Sequence, residues 1–283
     1  MRARQVLFGL LLWFWASSLV LPGSCGTEPP GKQDSSEEPK KLNDLIEKSV
    51  HWYDVLPAVD SSTPLVPQPV LRWRNVIRGQ KGEAMMVVWP QKGRPLAMAS
   101  IYPWNGKMVH EFDSLSREAK LVARDKDRVI WSPQTAGVEF RDVPAAPRPA
   151  KTHAERLRQM KAIAERFKAT MTGWQGDDTD REELRLLPRP LYRYDLKNAK
   201  EPDPNLLDGA LFAYVLGTDP EVVLVLEAIG TEKNSAWQYA FVRATSGGLE
   251  VKLGDKVIWS AEKAPANRNP MLPHFSMPRD LEK

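Results

Sequence analysis

Residues 208–229, DGALFAYVLGTDPEVVLVLEAI, constrain the fold more than any other stretch of the chain. Two apolar runs, Ala210–Leu216 and Val222–Leu226, flank a short segment carrying Gly217, Asp219 and Pro220. Runs this short, rich in β-branched and aromatic residues and bounded by turn formers, predict a β-hairpin. Their near-continuous apolarity predicts cover on both faces, since a half-exposed strand would alternate with polar residues. Residues 83–102, EAMMVVWPQKGRPLAMASIY, repeat the arrangement more weakly around a Gly/Pro turn.

The echo extends beyond the hairpins. Leu71-Arg72-Trp73-Arg74 is answered by Leu191-Tyr192-Arg193-Tyr194, Met108–Asp113 by Trp237–Val242, and Val129-Ile130-Trp131-Ser132 by Val257-Ile258-Trp259-Ser260. The offsets, about 120, 126, 129 and 128 residues in chain order, behave as insertions in a duplicated unit do. Between the regions, Thr152 and Glu155 have capping-box spacing, and Leu157, Met160, Ile163 or Ala164, Phe167 and Met171 form one stripe, predicting an amphipathic helix over 152–171 ended by Gly173. The fold class expected is therefore α+β: two similar antiparallel β-units, 69–143 and 190–262, joined by a helical region, 144–189, with the units forming one continuous sheet or two packed ones. Leu42, Leu45, Ile46, Val50 and Tyr53 predict a short helix within 41–68, followed by a Pro-rich link, and the polar, Pro-rich residues 263–283 are expected to lie on the surface or be disordered.

The N-terminus carries a different signal. Arg2 and Arg4 precede the apolar run Val6–Leu21 and then Pro22, Gly23 and Ser24, the layout of an export leader over 1–25. Cys25, the one cysteine of the chain, follows at once, ahead of a Pro/Ser/Glu/Lys-rich tether over 26–40. That placement fits lipoprotein acylation, although Pro22 stands where a lipobox prefers Leu, so ordinary cleavage nearby and an uncleaved anchor remain open. The exported body then holds no cysteine to form a disulfide. The chain's formal charge of +4 includes the two leader arginines; without them (40 − 2 basic against 36 acidic residues) the excess is about two, which does not suggest a nucleic-acid partner.

The segments GRPLAMASIY, HEFDSLS, RLRQMKAIAERF, LRLLPRPLYRY and DGALFAYVLGTDPE resemble a family of uncharacterised exported proteins of planctomycete-type bacteria, over roughly residues 70–260. The resemblance implies an exported envelope protein and carries no activity, cofactor or catalytic residue with it.

Motifs for nucleotide binding, an esterase nucleophile or a helical zinc site are absent from the sequence, and neither a cofactor nor a metal is expected. Chemistry, if present, would centre on His110-Glu111-Phe112-Asp113. In a strand over 107–113, alternation places His110 with Met108 and Phe112, and Glu111 with Asp113 on the other face. The repeat counterpart of His110 is Tyr239, another ring with a polar tip, which favours a structural, hydrogen-bonded role. Arg72, Trp73, Arg74, Tyr192, Arg193 and Tyr194 are the candidate ligand contacts, since arginines interleaved with rings can grip an anion or a sugar; the plain alternative is an edge strand with its arginines in solvent. Trp131 and Trp259 read as core, and the loop Gln175–Asp180 reads as a solvated turn without the spacing of a calcium loop. The functional expectation is an envelope or periplasmic interaction or scaffold protein, with an envelope protein or glycan as partner and membrane association only through the N-terminus. The alternative is a hydrolase or glycan-handling enzyme using His110 with Glu111 or Asp113.

Overall fold

The computed structural model describes residues 37–75, 82–173, 180–231, 234–264 and 268–281. The leader, Cys25, most of the tether and all but the last residue of the loop Gln175–Asp180 lie outside them. In chain order the elements are α1 (Glu37–Ser49), β1 (Asp54–Leu56), β2 (Gln68–Trp73), β3 (Ala84–Gln91), β4 (Arg94–Trp104), β5 (Lys107–Ser114), β6 (Val122–Asp125), β7 (Arg128–Trp131) and β8 (Arg141–Asp142). There follow α2 (His153–Ala164), β9 (Phe167–Thr172), β10 (Arg181–Leu186), β11 (Tyr192–Arg193), β12 (Leu206–Leu216), β13 (Asp219–Thr231), β14 (Asn234–Arg243), β15 (Gly248–Leu253), β16 (Lys256–Ala261) and β17 (His274–Asp280). The described protein is mostly β, and its strand pairs are antiparallel.

The hairpin β12–β13 forms in the stretch that predicts it, with Gly217 taking the left-handed φ of 63° that its turn requires. Alternation along it explains the unbroken apolar runs. Phe212, Tyr214, Leu224 and Leu226 point into a core shared with α2, β9 and β15, while Leu211, Ala213, Val223 and Val225 point into a second core shared with Met86, Val88 and Met98 of the other sheet. Two sheets therefore pack face to face rather than forming one continuous sheet. One is five-stranded, ordered β17-β5-β4-β3-β2; the other is nine-stranded, ordered β16-β15-β9-β10-β12-β13-β14-β8, with β11 beside β12. The outer face of the five-stranded sheet is covered in turn by α1 and by a three-stranded sheet, β1-β6-β7, which encloses Trp89, Phe112 and Trp131.

Four expectations need correction. The first helix begins at Glu37, inside the segment read as a tether. The second forms its capping box at Thr152 and Glu155 but stops at Ala164, and residues 167–172 are strand β9. Phe167 and Met171 suit both periods, yet buried Ala169 and exposed Lys168 fit only alternation, and two flanking ladders, to β10 and β15, outweigh a modest helix propensity. α2 packs through Met160, Ile163 and Ala164 onto the large sheet, where the Tyr214 hydroxyl donates to Ala164 O at 2.7 Å. The C-terminal segment is not merely surface: β17 pairs with residues 107–113 of β5 and buries His274, Phe275 and Ser276.

The fourth correction concerns Trp259. Trp131 is fully enclosed and its Nε1 donates to Leu272 O at 2.9 Å, whereas Trp259 is only partly buried against Phe241. Trp131→Ala should therefore cost about 2 kcal/mol more than Trp259→Ala, since the cost of truncation grows with the packing removed and with the cavity left behind. Urea denaturation of the two variants checks this, and equal losses would contradict it.

Candidate functional site

The two faces of β5 separate the residues that sequence places side by side. On the outer face, His110 is enclosed by aromatic rings: Trp52 stacks on it at 5.5 Å between centroids, and the Tyr53 ring meets it edge-on. Its Nδ1 lies 3.1 Å from the Tyr53 hydroxyl. Burial, with Arg279 adding to the effect, pushes its pKa down to about 3, so the imidazole is neutral. His110 thus cannot serve as the proton partner of Glu111 or Asp113, whose side chains leave the opposite face.

Those two carboxylates point toward the interface with the large sheet, where they meet a histidine that no sequence motif singles out. In the ladder between β17 and β5, His274 lies opposite Asp113 and Ser276 opposite Glu111, and on the other side Ser100 of β4 is also opposite Glu111. His274 Nδ1 is 2.8 Å from Asp113 Oδ1. From the large sheet's side, the Ser246 hydroxyl donates to Glu111 Oε1 at 3.5 Å, the outer limit of a hydrogen bond. Arg243 sets its charge near both carboxylates while its Nε donates to the carbonyl of Thr245 and its Nη2 to those of Gly247 and Glu262.

Burial raises the Glu111 carboxyl to about 7; the Asp113 charge adds to the rise, and His274 and a hydrogen bond from Tyr102 oppose it. Burial also raises Asp113, against the pull of His274. For His274, burial acts downward but the Asp113 carboxylate outweighs it, and the pKa is raised. The arrangement is chemically capable of moving a proton near neutral pH. It is also sealed, with His274 and Glu111 6% exposed and Asp113 2%.

The aromatic–arginine segments are not brought together. Arg72-Trp73-Arg74 lies on and just beyond edge strand β2, with Trp73 buried and both arginines exposed; Arg72 pairs with Glu47 of α1. Tyr192, Arg193 and Tyr194 lie on the large sheet. Arg193 holds buried Asp208 together with Arg156 of α2. Tyr194 donates to Glu227 at 3.0 Å, in a cluster where Glu227 also takes two bonds from Arg94 and one from Arg117.

Clefts open to solvent lie elsewhere. One of ≈720 Å³ is bordered by Trp52, Arg124, Arg128 and Arg279, another of ≈580 Å³ by Arg156, Arg193 and Lys197, and a third of ≈450 Å³ by Tyr239, Phe241 and Trp259. Among the described residues, no set of three or more His, Cys, Asp or Glu side chains is arranged to hold a metal ion, and no helix is long and apolar enough to cross a membrane. No family model, curated protein or solved structure matches the chain.

Proposed function

We propose that the chain is an exported, envelope-associated interaction protein that binds an envelope protein or glycan without transforming it. The observation that carries this reading is the division of labour between buried and open groups. A general acid or base must come within about 2.6–3.2 Å of the proton it moves, yet His110, Glu111, Asp113 and His274 are all buried, none more than 6% exposed. The open clefts instead present arginines, lysines and aromatic rings, interspersed with carboxylates such as Asp125, Asp195 and Glu139, groups suited to holding a partner. Export rests on the leader pattern of Arg2, Arg4 and Val6–Leu21, and membrane attachment on Cys25 or an uncleaved leader.

The same reading includes an internal duplication, which the order of elements supports. In each half a helix is followed by a strand, β1 or β9; a meander follows, β2 to β5 or β11 to β14; a hairpin ends the half, and its first strand, β6 or β15, pairs back onto the strand after the helix. β8, β10 and β17 are additions to that plan. Face-to-face packing of two such units leaves the long hairpins at the centre.

A second reading, hydrolysis through Asp113–His274 with Glu111 as the acid, is favoured by a carboxyl that changes charge near pH 7. Incubation of purified protein with envelope glycan fractions tests the pair. The binding reading expects retained, intact glycan or protein ligand. Release of product that is lost in His274→Gln but kept in His110→Gln, with both variants folded by near-ultraviolet circular dichroism, would overturn it.

A further inference from the structure

We propose that the cleft between the start of α2 and the segment after β11 binds an oxyanion, a carboxylate or phosphate, carried on a ligand with an apolar body. The inference rests on the reading of the protein as a binder and gives that reading a ligand class. It follows from the balance of donors and acceptors around Asp208. This carboxylate is 1% exposed; its Oδ2 accepts from Arg156 Nε at 2.8 Å and Arg193 Nη2 at 2.6 Å, and its Oδ1 from Arg193 Nε at 3.3 Å and the Gly209 N–H at 3.0 Å. Four accepted bonds fill its two oxygens.

The guanidiniums are not filled. Arg156 Nη1 donates to the carbonyls of Ala150 and Lys151 at 3.0 and 2.8 Å, and Arg193 Nη2 donates to His153 O at 2.5 Å. Each guanidinium carries five N–H donors. Arg156 Nη2 and Arg193 Nη1 therefore have no partner among the described residues, and both side chains line the ≈580 Å³ cleft. One buried carboxylate cannot neutralise two guanidiniums, and the carbonyl contacts hold both planes in place before any ligand arrives. Fixed forks of this kind match the geometry of carboxylate and phosphate oxygens.

The remaining lining fits the same ligand. Lys197 is exposed at the rim and adds a cation, while Asp195, the opposing carboxylate, is engaged by the N–H and amide of Asn198. Leu196 and Leu207 supply apolar wall, and a volume of this size suits a small organic ligand. The helix terminus adds little, because the capping box of Thr152 and Glu155 already occupies it.

Calorimetry with hexyl phosphate, hexanoate and inorganic phosphate on the full chain tests the proposal, with the histidine signals followed by NMR. Saturable binding of hexyl phosphate or hexanoate is expected, and the tighter of the two names the headgroup. Inorganic phosphate should bind at least tenfold more weakly. Arg193→Lys, which keeps a cation beside Asp208 but loses the fork, should weaken binding about tenfold, and Lys197→Ala, at an exposed position, about threefold. His153, whose pKa is lowered by burial and by Arg193, Arg156 and Lys197 against the pull of Asp208, should titrate upward when the anion is bound. Absence of saturable binding, binding indifferent to both substitutions, or a shift of His51 at the larger cleft in place of His153 would each overturn the site. Retention of an envelope ligand despite that result would leave the binding reading standing, whereas glycan turnover would end that reading whatever binds here.

Discussion

Glu111→Gln should be more stable than wild type by about 3 kcal/mol at pH 8 and within about 1 kcal/mol of it at pH 5. The folded protein raises this carboxyl from its ordinary 4.5 to about 7, chiefly by burial. The native state therefore holds a proton that the unfolded chain has already released between about pH 4.5 and 7. Stability contributed by the protonated form is complete below that window and is lost as pH rises through it. Glutamine keeps the shape and neutrality of the protonated acid, and so removes the penalty of ionising it. His274, facing Asp113 across the β17 ladder, is also raised, so its contribution is complete below its unfolded value near 6.5 and fades as pH rises through its folded value. Asp113 is raised as well and acts in the same direction. Wild type should accordingly be most stable in mild acid, with Arg243 as the fixed positive charge facing the group from β14. Urea unfolding across pH 5–8 checks both statements; a flat wild-type profile, or a Gln variant weaker at pH 8, would contradict them.

The main β-architecture was legible because its signals are local and redundant. The hairpin 208–229 announces itself by run length, turn residues and two-sided apolarity, and the alternation over 107–113 is enough by itself to separate His110 from Glu111 and Asp113. The site was not legible, because it depends on pairing between distant strands. His274 becomes Asp113's partner only when β17 joins β5, a contact 161 residues apart, and its Pro-rich, polar surroundings resemble a loose tail. A signal did exist: His274, Phe275 and Ser276 follow a proline and precede an apolar Met277, a short run compatible with an edge strand. The C-terminal end of α2 is hidden from the sequence for a related reason. The stripe positions Phe167 and Met171 are occupied equally well by a strand, and the choice is made by β10 and β15, which sequence periodicity does not contain. Glu227 and Asp208 carried the plainest unused signal. Each is an acid in or beside an apolar strand covered on both faces, where a charge must find a partner.

Glu227→Ala should cost about 3–5 kcal/mol, the range expected when one member of a buried, hydrogen-bonded ion cluster is removed and the others stay behind. Its carboxylate, 1% exposed, is gripped at both oxygens by Arg94 at 2.9 and 3.1 Å, by Arg117 at 2.6 Å and by the Tyr194 hydroxyl. Arg94 and Arg117 belong to the five-stranded half, Tyr194 and Glu227 to the other, so the cluster ties the two sheets together. Without the carboxylate, Arg94, only 20% exposed, keeps a single ion pair at 3.4 Å, to Asp203. Arg117 is more exposed and rests on the Phe140 ring at 3.7 Å, which lets it recover solvent and keeps the loss from growing further. Gly209 provides an independent route to the same cluster. A Cβ there would come within 2.4 Å of the Tyr194 ring, so Gly209→Ala must push that ring, and with it the hydroxyl, away from Glu227. If the cluster acts as a unit, Gly209→Ala and Tyr194→Phe combined should destabilise by less than the sum of their separate effects, because each removes the same hydrogen bond. Strict additivity in that cycle, or a loss below about 1 kcal/mol for Glu227→Ala, would place the cohesion of the two sheets in their apolar faces alone.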